Sequence, residues 1–378
     1  MSALVSLLIA LPVMAQPVAP ENVLDISLIV PLSGPLEPVG RSVRDGATDL
    51  VDWVNANGGI AGRPIRLLTA DDRGDPARAM KRAFEQIERH DPLAFLAPVG
   101  CASTQALLPL AQRLSIPVIG PMCGDRSLRR PVVREAFTIG AGHDEQAAAL
   151  FARMLALGKR RFALIAQNDA FGDSVRRPLS DAAAVAHSGK VTLDDIAFGS
   201  SDIASLVRRT LAGEPEVVML ARAGEGITAL VDALRAAGFD GMLIAIAEDH
   251  PAVLAQRLSG QTDKLEIARP NSPDMSGSIA ARACQVLIDR VTEPGPRAAR
   301  LHGCLAAQIL IAGLRRGGDS LDEPAALIAA LERPSHRLAT GATDPLAFSA
   351  FDHQAFDSPA VVGHARLPFP ASLASARP

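Results

Sequence analysis

Residues 55–64 read Asn55-Ala56-Asn57-Gly58-Gly59-Ile60-Ala61-Gly62-Arg63-Pro64, a turn-forming run between a helical pattern and a strand. Before it, apolar residues over 47–54 recur at helical spacing, and the Asn-Gly-Gly run tolerates the positive φ angles at which helices end. After it, residues 65–70 form a short apolar strand, and Asp75-Pro76 predicts the capped start of another helix. This helix–strand–helix order is typical of a doubly wound α/β sheet.

The same alternation continues along the chain. Helix-length amphipathic segments separate the strands, so parallel strands with right-handed crossovers are expected. Ligands of such sheets bind beyond the carboxyl ends of the strands, where the strand order reverses. After about residue 275, three helical segments follow one another. Apolar runs typical of strands occur at 26–30, 65–70, 94–98, 118–119, 162–166, 217–220 and 243–247.

Composition excludes some classes of function. The 378 residues are 48% hydrophobic, enough for one or two sizeable cores. A net charge of −3 gives no reason to expect nucleic acid as a partner. Only 3% of residues are aromatic and none is tyrosine, so a site that stacks sugars or rings is not favoured.

The N-terminus has the pattern of an export signal. Residues 4–14 are apolar but too few to span a bilayer, and Val13-Met14-Ala15 resembles a signal-peptidase site. We therefore predict a signal peptide over 1–15 and a soluble, exported protein in the periplasm, although the leader lacks lysine and arginine. The tail at 367–378, rich in proline, alanine and serine, is predicted to be disordered.

Several motifs, in this order and spacing, resemble the type I periplasmic binding proteins of ABC transporters, the leucine/isoleucine/valine-binding family. The resemblance covers residues 24–365. Its carriers are Pro31-Leu32-Ser33-Gly34-Pro35, the 54–60 run with Asp71-Asp72 and Asp75-Pro76, Val99-Gly100 with Ser103-Thr104, Ile116–Pro121, Asp169-Ala170-Phe171-Gly172, Phe348-Ser349 and His353-Gln354.

The resemblance implies two doubly wound parallel-sheet lobes joined by a three-strand hinge. The first lobe takes 24–142 and 272–337, and the second takes 143–271 and 338–366. The lobes close on a small ligand, and a membrane permease recognises the closed state. The implied protein is a monomer that needs no cofactor.

In the first lobe, the resemblance predicts ligand contacts at the loops that follow two strands. Gly100–Thr104 opens a helix, where backbone N–H groups hold an anion and a hydroxyl of Ser103 or Thr104 assists, unless these residues are ordinary caps. Amino-acid binders of the family commonly carry a hydroxyl residue after the next strand, where this chain has Cys123 and Gly124. The predicted contacts of this lobe are Cys101, Ala102, Ser103, Thr104, Met122 and Cys123.

In the second lobe, four residues are candidates. Asp144 matches a ligand-facing position or is a helix N-cap, and Phe171 is a wall of the site or a core residue. Arg222 would hold a carboxylate bidentately or pair with Glu225 on the surface. Glu248, with Asp249 as the alternative, matches the acid that pairs with a ligand ammonium.

The four cysteines allow three pairings. The strands that end at Cys101 and Cys123 should be parallel neighbours, close enough for a disulfide, against the alternative of two free thiols. Cys284 and Cys304 are a second candidate pair, which would join two of the late helices. No cysteine spacing indicates a zinc site.

An enzyme is not predicted, because no nucleophile elbow, P-loop or metal-binding His-Glu-x-x-His motif is present. We interpret the runs His143-Asp144-Glu145 and Glu248-Asp249-His250 as caps and solvated faces, since adjacent helical residues point in different directions. The function expected is that of the substrate-binding component of an ABC importer for an amino acid or a small carboxylate or amide. A soluble ligand sensor with the same fold is the alternative.

Overall fold

The structure is a computed structural model that describes residues 23–186, 191–198, 202–222, 226–246, 264–269, 279–289, 296–318, 322–333, 348–355 and 360–363. The predicted signal peptide at 1–15 and the predicted disordered tail at 367–378 lie outside these residues. So do Glu225, Glu248, Asp249 and His250.

The first half of the chain builds a parallel sheet of five strands in the order β2-β1-β3-β4-β5. Strand order therefore reverses between β1 and β3, which fixes the edge at which a ligand would bind. Its strands are β1 (Leu24–Val30), β2 (Ile65–Asp71), β3 (Phe95–Leu96), β4 (Val118–Ile119) and β5 (Ala136–Phe137). Its helices are α1 (Glu37–Ala56), α2 (Pro76–His90) and α3 (Cys101–Leu114).

A second sheet repeats this order with six strands, reversing between β6 and β8. Five of them are parallel, and the last strand, from the C-terminal region, pairs antiparallel with β10. Its strands are β6 (Arg161–Gln167), β7 (Thr192–Phe198), β8 (Val217–Ala221), β9 (Met242–Ile246), β10 (Leu265–Arg269) and β11 (Ala360–Gly363). Its helices are α4 (His143–Ala156), α5 (Ala170–Val185), α6 (Ile203–Ala212) and α7 (Gly226–Ala236).

Each sheet carries a buried apolar cluster on both faces, which confirms the predicted two-lobe α/β fold. The three late helices are α8 (Ile279–Asp289), α9 (Arg297–Gly317) and α10 (Pro324–Glu332), and they complete the core of the first sheet. A Cys284–Cys304 disulfide joins α8 to α9.

The turn at 55–64 holds its strand through one side chain. The Asn55 amide donates to the carbonyl of Ile65 and accepts from the N–H of Ile65, both at 2.8 Å. Gly59 has φ +68°, and a Cβ there would lie 2.2 Å from the carbonyl oxygen of Arg63. Asp75 caps α2 as predicted, accepting from the N–H groups of Ala77 and Arg78. Asparagine and glycine are therefore required here by backbone geometry.

The chain crosses between the sheets after β5. Thr138 lies in parallel register with Gln354, and its N–H donates to the carbonyl of His353 at 2.8 Å. The predicted division assigned 338–366 to the second lobe. In the structure Phe348 instead lies in the core of the first sheet. The ring of His353 stacks on the ring of Phe137 in β5, with centroids 4.1 Å apart. Residues 348–355 of the C-terminal segment thus pack with the first sheet.

Sequence patterns missed β5, β7, β10 and β11. Strand β7 is at the edge of its sheet and carries Asp194 and Asp195 in its middle, so it lacks the apolar run of a central strand. Strand β5 contains only two residues. Such segments become strands because a neighbour pairs with them.

Helices α1 and α9 approach closely because each has a glycine at the contact. A Cβ on Gly46 would lie 1.9 Å from the carbonyl oxygen of Arg300. Likewise, a Cβ on Gly303 of α9 would lie 1.9 Å from the carbonyl oxygen of Val43 in α1. Neither backbone oxygen can rotate out of the way as a side chain would.

We expect Gly303→Ala to lower the free energy of unfolding by about 2 kcal/mol, because the added methyl group forces the two helices apart. Chemical denaturation measures this change. Arg315→Ala, on an exposed position of the same helix, is the control and should change stability by less than about 0.5 kcal/mol. Equal stability of Gly303→Ala and the native chain would contradict the tight contact.

Candidate functional site

The loops after β3 and β4 form one wall of the candidate site. A Cys101–Cys123 disulfide joins them, so both predicted bonds form and the free-thiol alternative is wrong. The N–H of Met122 donates to the carbonyl oxygen of Pro98 at 2.8 Å, and the N–H of Gly100 donates to the carbonyl oxygen of Met122 at 3.1 Å. The first turn of α3 is thereby held at the carboxyl edge of the first sheet.

Two predicted hydroxyl ligands are already engaged inside this lobe. Ser103 is 2% exposed and donates to the Asp72 carboxylate at 2.9 Å, and Thr104 donates to the carbonyl of Gly100 at 2.8 Å. Ala102 is exposed, whereas Met122 and Cys123 are half-buried. The hydroxyls of this turn are therefore already hydrogen-bonded within the lobe, and the N–H of Thr104 also donates to the carbonyl of Gly100, at 3.1 Å.

Asp72 is the reason that Ser103 is engaged. The carboxylate is fully buried at the end of β2, and burial raises its pKa. It accepts hydrogen bonds from Ser103 and from the N–H of Gly74. Asp71 turns the other way and accepts from the N–H of Leu32 and from Ser33. This acidic pair fixes the loops around the reversal point of the first sheet.

Sequence reasoning missed Arg129, which lies at the junction of the two lobes. Its side chain is buried, donates to the carbonyls of Gly124 and Asp125 at 3.2 Å, and pairs with Asp144 at the start of α4. A Cβ on Gly142 would lie 1.7 Å from Nη2, so the crossing chain runs directly against the guanidinium. The only sequence signal was a basic run at 126–130.

Asp144 is thus an ion-pair partner of Arg129, and its role as a ligand contact stays a prediction. The N-cap alternative is wrong, because Gly142 is the cap and α4 starts at His143. Glu145 accepts from the N–H of Gly142 at 2.8 Å and from the Gln354 amide at 2.7 Å. This carboxylate therefore links two crossing segments.

His143 is buried, so its interpretation as part of a solvated face is wrong. Its ring meets Phe171 edge-on with centroids 4.7 Å apart, and its backbone N–H donates to the carbonyl of Gly124 at 2.8 Å. Burial, with the Arg129 cation nearby, lowers the pKa of His143 to about 3. Phe171 is 4% exposed and packs in the core of the second sheet beside the reversal point.

Arg222 follows β8 on the other side of that reversal point. Its side chain is half-buried, and burial lowers the pKa of its guanidinium below the ordinary value. A Cβ on Gly226 would lie 2.2 Å from its Nε, so the guanidinium lies against the first residue of α7. Arg222 and Phe171 hence flank the reversal point, where the strand-order rule expects a ligand.

A cavity of about 430 Å³ lies elsewhere, at the amino ends of β8 and β9. Its lining includes Pro215 and Phe239, and none of the predicted site residues contributes to it. Among the described residues, no group of three or more His, Cys, Asp or Glu side chains is placed to hold a metal ion. No helix in the described ranges is long and apolar enough to cross a membrane.

Comparison with known proteins gives consistent results. The family model described as periplasmic binding protein matches residues 24–365. A Leu/Ile/Val-binding protein homolog from Brucella melitensis is 26% identical over 353 residues, covering 89% of this chain and 92% of the relative. Among solved structures, a possible leucine/isoleucine/valine-binding protein from Rhodopirellula baltica is 21% identical, with TM-score 0.78 and coverage of 93% and 96%. A fatty acid ABC transporter substrate-binding protein from Thermomonospora curvata is 17% identical, with TM-score 0.69 and coverage of 90% and 88%.

Arg129→Gln is expected to lower the free energy of unfolding by about 3 kcal/mol, because it leaves Asp144 without its buried cation. Urea denaturation measures the loss. Arg126→Gln is the matched control: this neighbour also approaches Asp144, at 3.8 Å, but is 54% exposed. Arg126→Gln should lower the free energy of unfolding by less than about 1 kcal/mol. Similar losses in the two variants would contradict a special role for Arg129.

The low pKa of His143 predicts that the free energy of unfolding depends on pH. An unfolded histidine titrates near 6.5, so between pH 6.5 and about 3 the unfolded chain binds a proton that the folded protein excludes. Stability therefore falls on acidification, and His143 contributes about 2 kcal/mol of that fall from pH 7 to pH 5. Urea denaturation at pH 7 and pH 5 should show that His143→Gln loses about 2 kcal/mol less of its free energy of unfolding on acidification than the native chain.

The control for this experiment is Gln112→Ala on an exposed position of α3, which changes no titratable group. It should keep the pH dependence of the free energy of unfolding that the native chain shows. If His143→Gln retained the full pH dependence, the imidazole would not be excluded from protonation in the folded protein.

Proposed function

The chain belongs to the periplasmic binding protein family, and from this premise we propose that it is the exported substrate-binding component of an ABC importer. It captures a small polar ligand, an amino acid or a small carboxylate or amide, between two lobes. It does no chemistry on the ligand, acts as a monomer in the periplasm, and delivers the ligand to a membrane permease. The relatives named above are binding and transport proteins, which supports this class.

One observation carries the proposal: both sheets have the same strand order, and candidate ligand groups cluster at the reversal point of each. The first sheet presents the opening turn of α3, and the second presents Phe171 and Arg222. A carboxylate held by backbone N–H groups on one side and a guanidinium on the other would bind both lobes at once. Such two-sided contact is what stabilises a closed state.

The proposed division is the predicted one, 24–142 with 272–337 in the first lobe and 143–271 with 338–366 in the second, except that 348–355 pack against the first sheet. The proposed ligand contacts are those predicted from the sequence, with Arg222 as the carboxylate partner. Ser103 contributes through its N–H group, since its hydroxyl proton is engaged within the lobe. Thr104 contributes by its position only, because its hydroxyl and its N–H both donate to the carbonyl of Gly100. Glu248, outside the described residues, is proposed for a ligand ammonium.

A thermal-shift screen of leucine, glutamate, glutamine, succinate and succinamate tests the proposal. A ligand present at 100 times its Kd should add about 2.7 kcal/mol to the free energy of unfolding and raise Tm. Arg222→Ala should weaken a carboxylate ligand at least tenfold, about 1.4 kcal/mol, whereas Arg208→Ala on an exposed position of α6 should not. Unchanged affinity in Arg222→Ala would remove Arg222 from the site.

A further inference from the structure

The contacts of the His143 ring favour one of its two neutral tautomers. The Ser174 hydroxyl lies 2.7 Å from the carbonyl oxygen of Phe171 and donates its single proton there. The same hydroxyl oxygen is 3.4 Å from Nδ1 of His143. Because its proton is already committed, this second contact is a hydrogen bond only if Nδ1 carries the hydrogen. In the neutral ring Nε2 then holds a lone pair and accepts.

The acceptor edge of the ring lies at the first lobe. A Cβ on Gly124 would be 2.6 Å from Nε2 and 2.5 Å from Cδ2, so the imidazole occupies the volume that a side chain at 124 would fill. Gly124 is half-exposed and follows the Cys101–Cys123 disulfide at the carboxyl end of β4. The imidazole of His143, from the second lobe, thus takes the place of a side chain at position 124.

Nε2 makes no hydrogen bond with any residue that the structure describes. The residue is only 2% exposed, yet Nε2 is not among its fully buried atoms, so the small exposed surface of the ring reaches this nitrogen. A polar atom in such a place is satisfied by water or by a bound group. In the tautomer with hydrogen on Nδ1, Nε2 accepts and cannot donate, so a bound partner would be a donor.

We infer that Nε2 of His143 accepts a hydrogen bond from a neutral N–H or O–H group of the ligand. The preferred ligand is therefore a carboxylate that also carries an amide or hydroxyl group. This inference rests on the proposed function and narrows its ligand class. A charged ammonium is disfavoured at this point, because the buried Arg129 cation that disfavours a proton on the ring would repel it as well.

Isothermal titration with two isosteric probes, succinamate and succinate, tests the inference. The native protein should bind succinamate at least tenfold more tightly than succinate. His143→Leu should bring the two affinities within about twofold, and His143→Gln, which retains an acceptor oxygen, should restore part of the difference. Gly124→Ala should act like His143→Leu, because the new methyl group displaces the ring. His90→Leu is the control and should leave the tenfold ratio.

If His143→Leu still bound succinamate at least tenfold more tightly than succinate, the inference would be overturned. A native protein that binds succinate more tightly would overturn it as well. Nitrogen-15 NMR of the ligand-free protein adds a test that needs no ligand. Hydrogen on Nδ1 and a bare Nε2 at pH 7 support the inference, and hydrogen on Nε2 overturns it. If neither probe binds while other members of the thermal-shift panel do, His143 does not select amides. If none of the panel binds, the proposed function fails, and the NMR result alone decides the state of the ring.

Discussion

A buried guanidinium at the junction of the lobes constrains much of what surrounds it. Arg129 is 4% exposed, and a buried cation must be compensated by carbonyl and carboxylate groups. Gly124 and Asp125 supply carbonyls, and Asp144 supplies the carboxylate from the other lobe. The crossing chain can pass only because residue 142 has no side chain. One cation thereby sets the position of α4 against the loop after β4.

The chemistry of the site follows from that arrangement. Asp144 is held by Arg129, and the neighbouring His143 is kept neutral and pressed against Gly124. On the first lobe, Asp72 engages the hydroxyl of Ser103 in the same way. Groups that look like ligand contacts in the sequence are therefore partly structural. The groups that we assign to the ligand are the N–H groups of α3, the guanidinium of Arg222 and the acceptor nitrogen of His143.

Sequence reasoning succeeded where the determinants are local. Helical spacing, the turn at 55–64 and the Asp75 cap each involve residues close in the chain, and the structure has them where they were predicted. Both disulfides were predicted because adjacent parallel strands and adjacent helices bring their cysteines together. It failed for β7, whose acidic edge position hides its pattern. Phe348, which the predicted division placed in the second lobe, packs in the first core.

The sequence by itself determined the alternating α/β pattern, for which periodicity, turn residues and the order of elements are enough. The two-lobe fold and the family followed from the resemblance of its motifs to the periplasmic binding proteins. Only the tertiary structure decided which polar side chains are already satisfied. Ser103 meets Asp72 across 31 residues, and Gln354 meets Glu145 across 209. Hydrogen bonds between residues so far apart leave no periodic trace in the chain, because they depend on how the two lobes and their crossings come together in space.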